Sequence, residues 1–344
     1  MDSLSPLRLY TVHLKSQRKI APILEALTLT LGATVALKFL KASRSGPGEA
    51  LSGKVVVVTG ASRGIGRAVA LECAQRGARV VLAARHKETL QGVADEVRQL
   101  GGEATVAVTD VTDPAQVQRL VNTAVATYGR LDVMMNHAGT WFIDTVEHSD
   151  PQRTRNLIEL NVMGVLHGVQ AALPVMRLQG FGHIINTSSI EGRVGFPFTG
   201  VYAGTKAFVE LLTQALRQEL MYVERTGIRV SVLLPVTTRT PIFDHVDNVK
   251  EGGQGAHMVR PVQEATQVAR AVVDAMEHYR PVIYPLAPSK GLVMLYDLLP
   301  KLTGQLMTLA RVDRHVSPLS HRQRGSHREE RPILPVVKGG TRHD

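Results

Sequence analysis

Seven short apolar runs, spaced so that a helix fits between each consecutive pair, constrain this chain more than any other feature. They are Lys54–Thr59, Arg79–Ala83, Ala104–Val108, Val133–Asn136, His183–Asn186, Ile228–Leu234 and Val282–Tyr284. Parallel neighbours in a sheet need a crossover of about a dozen residues or more, and the intervening segments have that length and a helical period. The pattern predicts a doubly wound α/β sheet of seven mainly parallel strands. The unbroken run Val55–Val58 lacks the alternation of a sheet with one wet face, so both faces are expected to be covered.

Within the 344 residues this places one catalytic-sized domain at 51–285. It is flanked by an apolar and basic extension with a Gly/Pro/Ser linker at 1–50, an apolar helical extension at 286–311, and a basic tail at 312–344 expected to be disordered. The formal charge of +10 resides at the ends. Residues 1–50 hold seven basic and three acidic side chains, and 301–344 hold nine and four, whereas 51–300 is nearly balanced at 24 and 23. A nucleic-acid reader carries its basic stripe on the folded body, so specific nucleic-acid binding is not expected. The single cysteine, Cys73, excludes an intramolecular disulfide and a cysteine-based zinc site. His315, His321, His327 and His343 lie in the tail with no local fold to fix a geometry, and no metal site is expected.

The first strand runs into Thr59-Gly60-Ala61-Ser62-Arg63-Gly64-Ile65-Gly66 and then a helical segment. Glycines there permit a tight turn and a close backbone approach to a pyrophosphate, whose charge the free N–H groups of the helix can meet. The expected ligand is a dinucleotide held by Gly60, Ser62, Arg63, Gly64, Ile65 and Gly66. An NAD site usually places an acidic residue at the end of the second strand, to bind the ribose hydroxyls. Here that strand ends in Arg85. Arg63 and Arg85 are two planar guanidinium groups suited to clamping a 2′-phosphate, which favours NADP(H) over NAD(H).

Tyr202 and Lys206 stand four residues apart in a helical stretch and so share one face. Ser189 lies thirteen positions before Tyr202, just past a strand, at the sheet edge where such folds bind ligands. On these motifs the chain resembles the short-chain dehydrogenase/reductase family, in the branch whose glycine motif is TGxxxGxG. The resemblance extends from about Leu51 to Tyr284 and implies a Rossmann-like fold. Asp110-Val111 matches the family's adenine-contacting pair. Asn136-His137-Ala138-Gly139 resembles its NNAG motif but departs at His137, and Pro235 with Thr240 resembles its PGxxxT segment but departs at Val236. The resemblance therefore adds Asp110, Val111, Asn136, Ala138, Gly139, Tyr202, Lys206, Pro235 and Thr240 to the cofactor set.

The resemblance also implies a catalytic tetrad of Asn161, Ser189, Tyr202 and Lys206. The tyrosine would move the proton, the lysine would hold the nicotinamide ribose, the serine would bind the substrate oxygen, and the asparagine would support a water in the relay. A phenol with a pKa of about 10 ionises poorly near neutrality, and a lysine cation beside it is expected to bring Tyr202 down by roughly 1 to 3 units.

Trp141, Glu191, Phe196 and Ser189 are the expected substrate contacts, together with Phe142, Phe198 and a glycine-rich lid at Pro241–Pro261. Glu191 reads either as an anchor for a polar group or as a solvated glutamate at the rim. The leading function is an NADP(H)-dependent oxidoreductase that moves hydride between nicotinamide and a carbonyl or alcohol, with a hydrophobic substrate. The alternative is a catalytically silent NADP(H)-binding regulator. Family resemblance implies a homodimer or homotetramer.

Ile20–Leu40 is long enough to span a bilayer as a helix but is interrupted by Pro22, Glu25 and Lys38, and basic residues flank it on both sides. It is read as a candidate anchor to an anionic membrane surface, giving a cytoplasmic or cytosol-facing, membrane-associated enzyme. The apolar segment Gly291–Leu309 is a second candidate for dipping into a membrane or closing an oligomer.

Overall fold

The structure, a computed structural model, describes residues 50–241 and 261–309, the side chains of 306–309 excepted. The apolar segment Ile20–Leu40, the basic tail and nearly all of the Pro241–Pro261 lid lie outside the described residues.

The sheet is built from β1 (Val55–Thr59), β2 (Arg79–Ala84), β3 (Glu103–Val108), β4 (Val133–Asn136), β5 (Gly182–Thr187), β6 (Ile228–Leu233) and a short last strand, Val282–Ile283. Their order across the sheet is β3-β2-β1-β4-β5-β6 followed by Val282–Ile283, and every neighbouring pair is parallel. All seven expected strands are present, in a Rossmann-like arrangement.

The connections between strands carry α1 (Gly64–Gln75), α2 (Lys87–Gln99), α3 (Pro114–Tyr128), α4 (Pro151–Gln179), α5 (Gly200–Arg217) and α6 (Ala265–Glu277). Successive valines of β1 point to opposite sides. Val56 and Val58 pack with Val69 of α1, Leu90 of α2 and Val272 of α6, whereas Val55 and Val57 pack with Leu120 of α3, Ala172 of α4 and Leu216 of α5. That is why the run is apolar without alternation: helices cover both faces. Asp113 and Asp150 cap α3 and α4, each followed by proline in the first turn, where the missing N–H costs nothing. Cys73 is buried on α1, 3.8 Å from the sulfur of Met276.

By length and composition α4 is the one helix among the described residues able to cross a membrane, with 29 residues and a mean hydropathy of 1.2. It is a core element here, since Val165, Val169, Ala172 and Met176 are buried.

Two features differ from the sequence expectation. Thr238–Arg239 and Gln263–Glu264 form a separate two-stranded parallel sheet, too short to register as a pattern. Gly291–Leu309 is not one segment but parts of two helices, α7 (Pro288–Leu298) and α8 (Pro300–Leu309), divided at Leu299-Pro300, where proline cannot continue a helix. One side of this pair packs on the domain. Val293 is buried against Ile190, Val194 and Val236, so 286–309 closes one end of the catalytic domain as well as extending it. Met294, Leu298, Leu299 and Leu302 remain exposed on the other side.

Candidate active site

The C-terminal ends of β1, β4, β5 and β6 open onto one cleft of about 790 Å³, which reaches from Arg63 and Arg85 at one end to α7 at the other. At its first end the glycine turn is shaped by backbone geometry. Gly60 and Gly64 have φ of +70° and +56°, in the left-handed region. A Cβ on Gly66 would lie 2.2 Å from the Gly60 carbonyl oxygen, so this glycine lets α1 start directly on the turn and does not itself line the cleft. Arg63, the N-cap residue of α1, makes no side-chain cap, and the first turn holds no acidic residue. The free N–H groups of α1 are therefore left for an anion.

Arg63 and Arg85 are exposed, line the cleft and have no ion-pair partner among the described residues. Ser62, Ile65, Ala138, Gly139, Pro235 and Thr240 line it as expected. Asp110 and Val111 do so as well. One Asp110 oxygen is held by the Thr112 N–H and hydroxyl (3.0 and 2.8 Å), and the Val111 carbonyl is 2.9 Å from His167 Nδ1.

The Thr59 hydroxyl oxygen accepts from the N–H groups of His137 and Ala138 (2.9 and 3.1 Å), tying the end of β1 to the turn after β4. His137, where the family motif has asparagine, lines the cleft and places Nδ1 3.2 Å from the Thr187 hydroxyl. Burial and the neighbouring Lys206 charge push its pKa down to about 4, so it is a neutral imidazole. Asn136, expected to touch the cofactor, corrects that expectation. It is buried away from the cleft, donating to Asn186 Oδ1 (2.8 Å), and Asn186 in turn donates to Thr213 (3.0 Å). Its side chain joins β4 to β5 and α5. Val236, in place of the motif's glycine, lines the cleft and packs on Ile190 and Val293 without entering the left-handed region.

Ser189, Tyr202 and Lys206 come together at the middle of the cleft. The Ser189 oxygen accepts from the Glu191 N–H (3.1 Å), and its hydroxyl donates to the Tyr202 phenol. Lys206 Nζ is 5.7 Å from the Tyr202 ring centre and donates to the Thr187 carbonyl (2.9 Å). Asn161 sits in a π turn of α4, Glu159–Met163, a local widening often found at functional sites. Its amide brackets the Thr140 peptide, accepting from the N–H and donating to the carbonyl at 2.9 Å each. It also donates to the Thr205 hydroxyl (3.2 Å), which in turn donates to the Tyr202 carbonyl (2.7 Å). Asn161 is buried behind the cleft and shapes its wall through Thr140.

The electrostatics differ in sign from the expectation for Tyr202. Burial raises the phenol above its ordinary value, and the Glu191 charge adds to this, while the Ser189 hydrogen bond opposes it. Lys206 is itself lowered to about 8 by burial. The reason is that Lys206 is tied back to Thr187 and not to the phenol oxygen, so loss of water outweighs its attraction.

The substrate end holds Trp141, Glu191 and Phe196, as expected, with the Trp141 ring edge-on to Tyr202 at 6.3 Å. Glu191 is half-buried, with its Oε2 shielded from solvent. Burial raises its carboxyl to about 7, and Oε2 has no hydrogen-bond partner among the described residues. Pro288, Ser289, Leu292 and Leu295 of α7 and Thr303 of α8 complete the wall. No motif in the sequence marks these residues as part of a site, although the leucine spacing marks an apolar face. Among the described residues no cluster of His, Cys, Asp and Glu fits a metal ion.

A family model described as short chain dehydrogenase matches residues 54–251. An uncharacterized oxidoreductase of Staphylococcus saprophyticus is 40% identical over 197 residues, covering 57% of this chain and 78% of that protein. One from Listeria innocua is 36% identical over 228 residues, covering 64% and 91%. Among solved structures, a short chain dehydrogenase/reductase from Burkholderia phymatum in complex with NAD aligns with a TM-score of 0.67 at 30% identity, over 74% of this chain and 96% of that one. An alcohol dehydrogenase from Thermococcus sibiricus complexed with a hydroxylated NADP aligns at 0.58 and 26% identity, over 67% and 94%.

Proposed function

The chain belongs to the short chain dehydrogenase family and is an NAD(P)-dependent oxidoreductase; from that premise we propose that it prefers NADP(H) and acts on a hydrophobic ketone or secondary alcohol. The observation carrying this reading is one cleft that joins an uncapped helix N-terminus and two arginines, unpaired among the described residues, to Ser189, Tyr202 and Lys206 in the middle. The residues present fit a dinucleotide. Gly66 leaves the turn open, the α1 N–H groups suit the pyrophosphate, Asp110 and Val111 suit the adenine, and Lys206 suits the nicotinamide ribose. The bound nicotinamide supplies or takes the hydride.

The chain's own part is proton transfer and orientation. Tyr202, held protonated by burial, donates its phenolic proton to the substrate oxygen during reduction and takes it back during oxidation. With substrate bound, Ser189 turns its hydroxyl proton from the Tyr202 phenol to the same oxygen, while the Glu191 N–H occupies one of its lone pairs. Lys206, a cation below about pH 8, stabilises the phenolate left behind. Asn161 acts as a positioning residue by fixing Thr140. The intact tetrad favours an enzyme over a silent regulator.

Replacing Arg63 and Arg85 together with alanine tests the cofactor choice. NADPH affinity is expected to fall by about 10²-fold, since a charge-assisted contact to phosphate is worth about 1.5–3 kcal/mol, while NADH affinity changes by less than about threefold. Equal losses for both cofactors refute the clamp. A homodimer or homotetramer also follows from this reading, supported by Phe208 and Leu211 exposed on the outer face of α5 at 46% and 65%. Light scattering at micromolar concentration is expected to give twice or four times the chain mass, and a monomer would contradict it.

A further inference from the structure

Glu191 is out of place in an apolar substrate pocket. Glu191 lines the cleft with Trp141, Phe196 and Leu292, and its Oε2 is buried with no hydrogen-bond partner among the described residues. The Thr199 hydroxyl, which reaches the carboxylate, is also 3.1 Å from the Phe196 carbonyl and has one proton for two acceptors. Among the described residues, the nearby cations are engaged elsewhere. Arg193 pairs with Glu210, and Lys206 donates to the Thr187 carbonyl. Glu191 forms no ion pair among the described residues. A buried carboxylate without counter-charge costs several kcal/mol, unless a ligand supplies the positive charge or a proton neutralises it.

We propose that Glu191 is a specificity residue for a cationic nitrogen, so that the cleft takes amino alcohols or amino ketones with an ammonium group one or two carbons from the reacting carbon. This rests on the oxidoreductase reading of the same cleft. The placement follows from the turn after β5. Ser189, which meets the reacting oxygen, and Glu191 are two residues apart and joined by the Glu191 N–H to Ser189 Oγ bond. In the proposed pose an ammonium on an adjoining carbon meets the carboxylate while the oxygen meets Ser189 and Tyr202. Trp141 and Phe196, which also line the cleft, are aromatic residues compatible with such a cation. Pairing also serves the chemistry. The Glu191 charge is one of the causes that hold the Tyr202 phenol high, and a substrate cation that neutralises it makes proton donation easier.

Three alcohols with a common phenyl carbinol test the proposal: phenylethanolamine, phenylethylene glycol and phenylpropanol, which carry an ammonium, a hydroxyl and a methyl at the same carbon. Their binding to the NADP⁺-loaded protein is measured by calorimetry at pH 8, where the carboxyl, near 7, is largely ionised. Oxidation is followed on the same samples. Wild type is expected to bind phenylethanolamine about tenfold tighter than phenylpropanol or more, as a charge-assisted hydrogen bond in a buried site provides. In Glu191→Gln, which keeps shape and the Thr199 contact, that ratio is expected to fall to within about threefold of one. Unchanged NADPH affinity serves as the control for folding.

Equal wild-type affinities, a preference for the glycol over the amine, or an amine preference that survives Glu191→Gln each overturns the proposal. Amine preference lost in the variant, but without oxidation of any probe, keeps the cation site and removes the proposed action of this cleft on hydrophobic secondary alcohols. Oxidation of phenylpropanol without amine preference does the reverse.

Discussion

Tyr202→Phe is expected to lower ketone turnover by about 10²-fold or more while leaving NADPH affinity within about twofold of wild type. The substitution removes one oxygen and keeps the ring, so the edge-on packing against Trp141 at 6.3 Å is retained. What is lost is the proton that must reach the substrate oxygen as hydride arrives. A loss of 10²-fold corresponds to about 2.7 kcal/mol of transition-state stabilisation, within the range general acid catalysis supplies. Because the effect belongs to the transition state, kcat falls and substrate KM changes little. Steady-state rates with NADPH and a responsive ketone check this, and turnover within threefold of wild type would remove Tyr202 from its role.

The second large effect is expected from Gly66→Ala, one methyl group added where the chain has no room for it. The new Cβ would lie 2.2 Å from the Gly60 carbonyl oxygen and 3.1 Å from His137 Cδ2. The first of these neighbours is backbone, so relief requires α1 to back away from β1. Overpacking of this kind costs about 1–3 kcal/mol or more, and for a domain of this size about 2–4 °C in Tm per kcal/mol. A fall in Tm of about 6 °C or more is expected, with a tenfold or greater loss in NADPH affinity, because the displaced turn no longer presents its N–H groups. Thermal unfolding with and without NADPH reads both, and wild-type values for the pair would show that the close approach is not required.

Much of this architecture is legible in the chain because covered parallel strands leave a local mark. Val55–Val58 is apolar at every position, and each neighbouring run is followed by a helical period long enough to cross over. The grouping of Ser189, Tyr202 and Lys206 is legible for a related reason. A residue just past a strand and a pair one helical turn apart have little freedom once strand order is known.

What the chain conceals depends on partners distant in sequence. Glu191 shares its cleft with Leu292 and other residues of α7, roughly a hundred positions on, so its surroundings are not written in its own stretch of chain. The leucines of Gly291–Leu309 announce an apolar face without saying what it covers. Asn136 carries a family motif residue, yet its side chain is spent on Asn186 across the sheet. The sign of the Tyr202 shift is likewise a matter of burial and of where Lys206 is tied, and neither is a property of the four-residue spacing.

The central claim, that this cleft transfers hydride to a carbonyl with Tyr202 as proton donor, is tested most directly by isotope transfer. NADPH bearing deuterium on the nicotinamide carbon is incubated with the protein and a panel of ketones, amino ketones among them. The alcohol products are analysed by mass spectrometry, while emission from Trp141, the single tryptophan, reports cofactor binding on the same sample. The account predicts quenching of Trp141 on NADPH addition and one deuterium on the carbinol carbon of a product, with label transfer suppressed about 10²-fold in Tyr202→Phe. Quenching without deuterium in any product, or equal transfer by wild type and Tyr202→Phe, would contradict it.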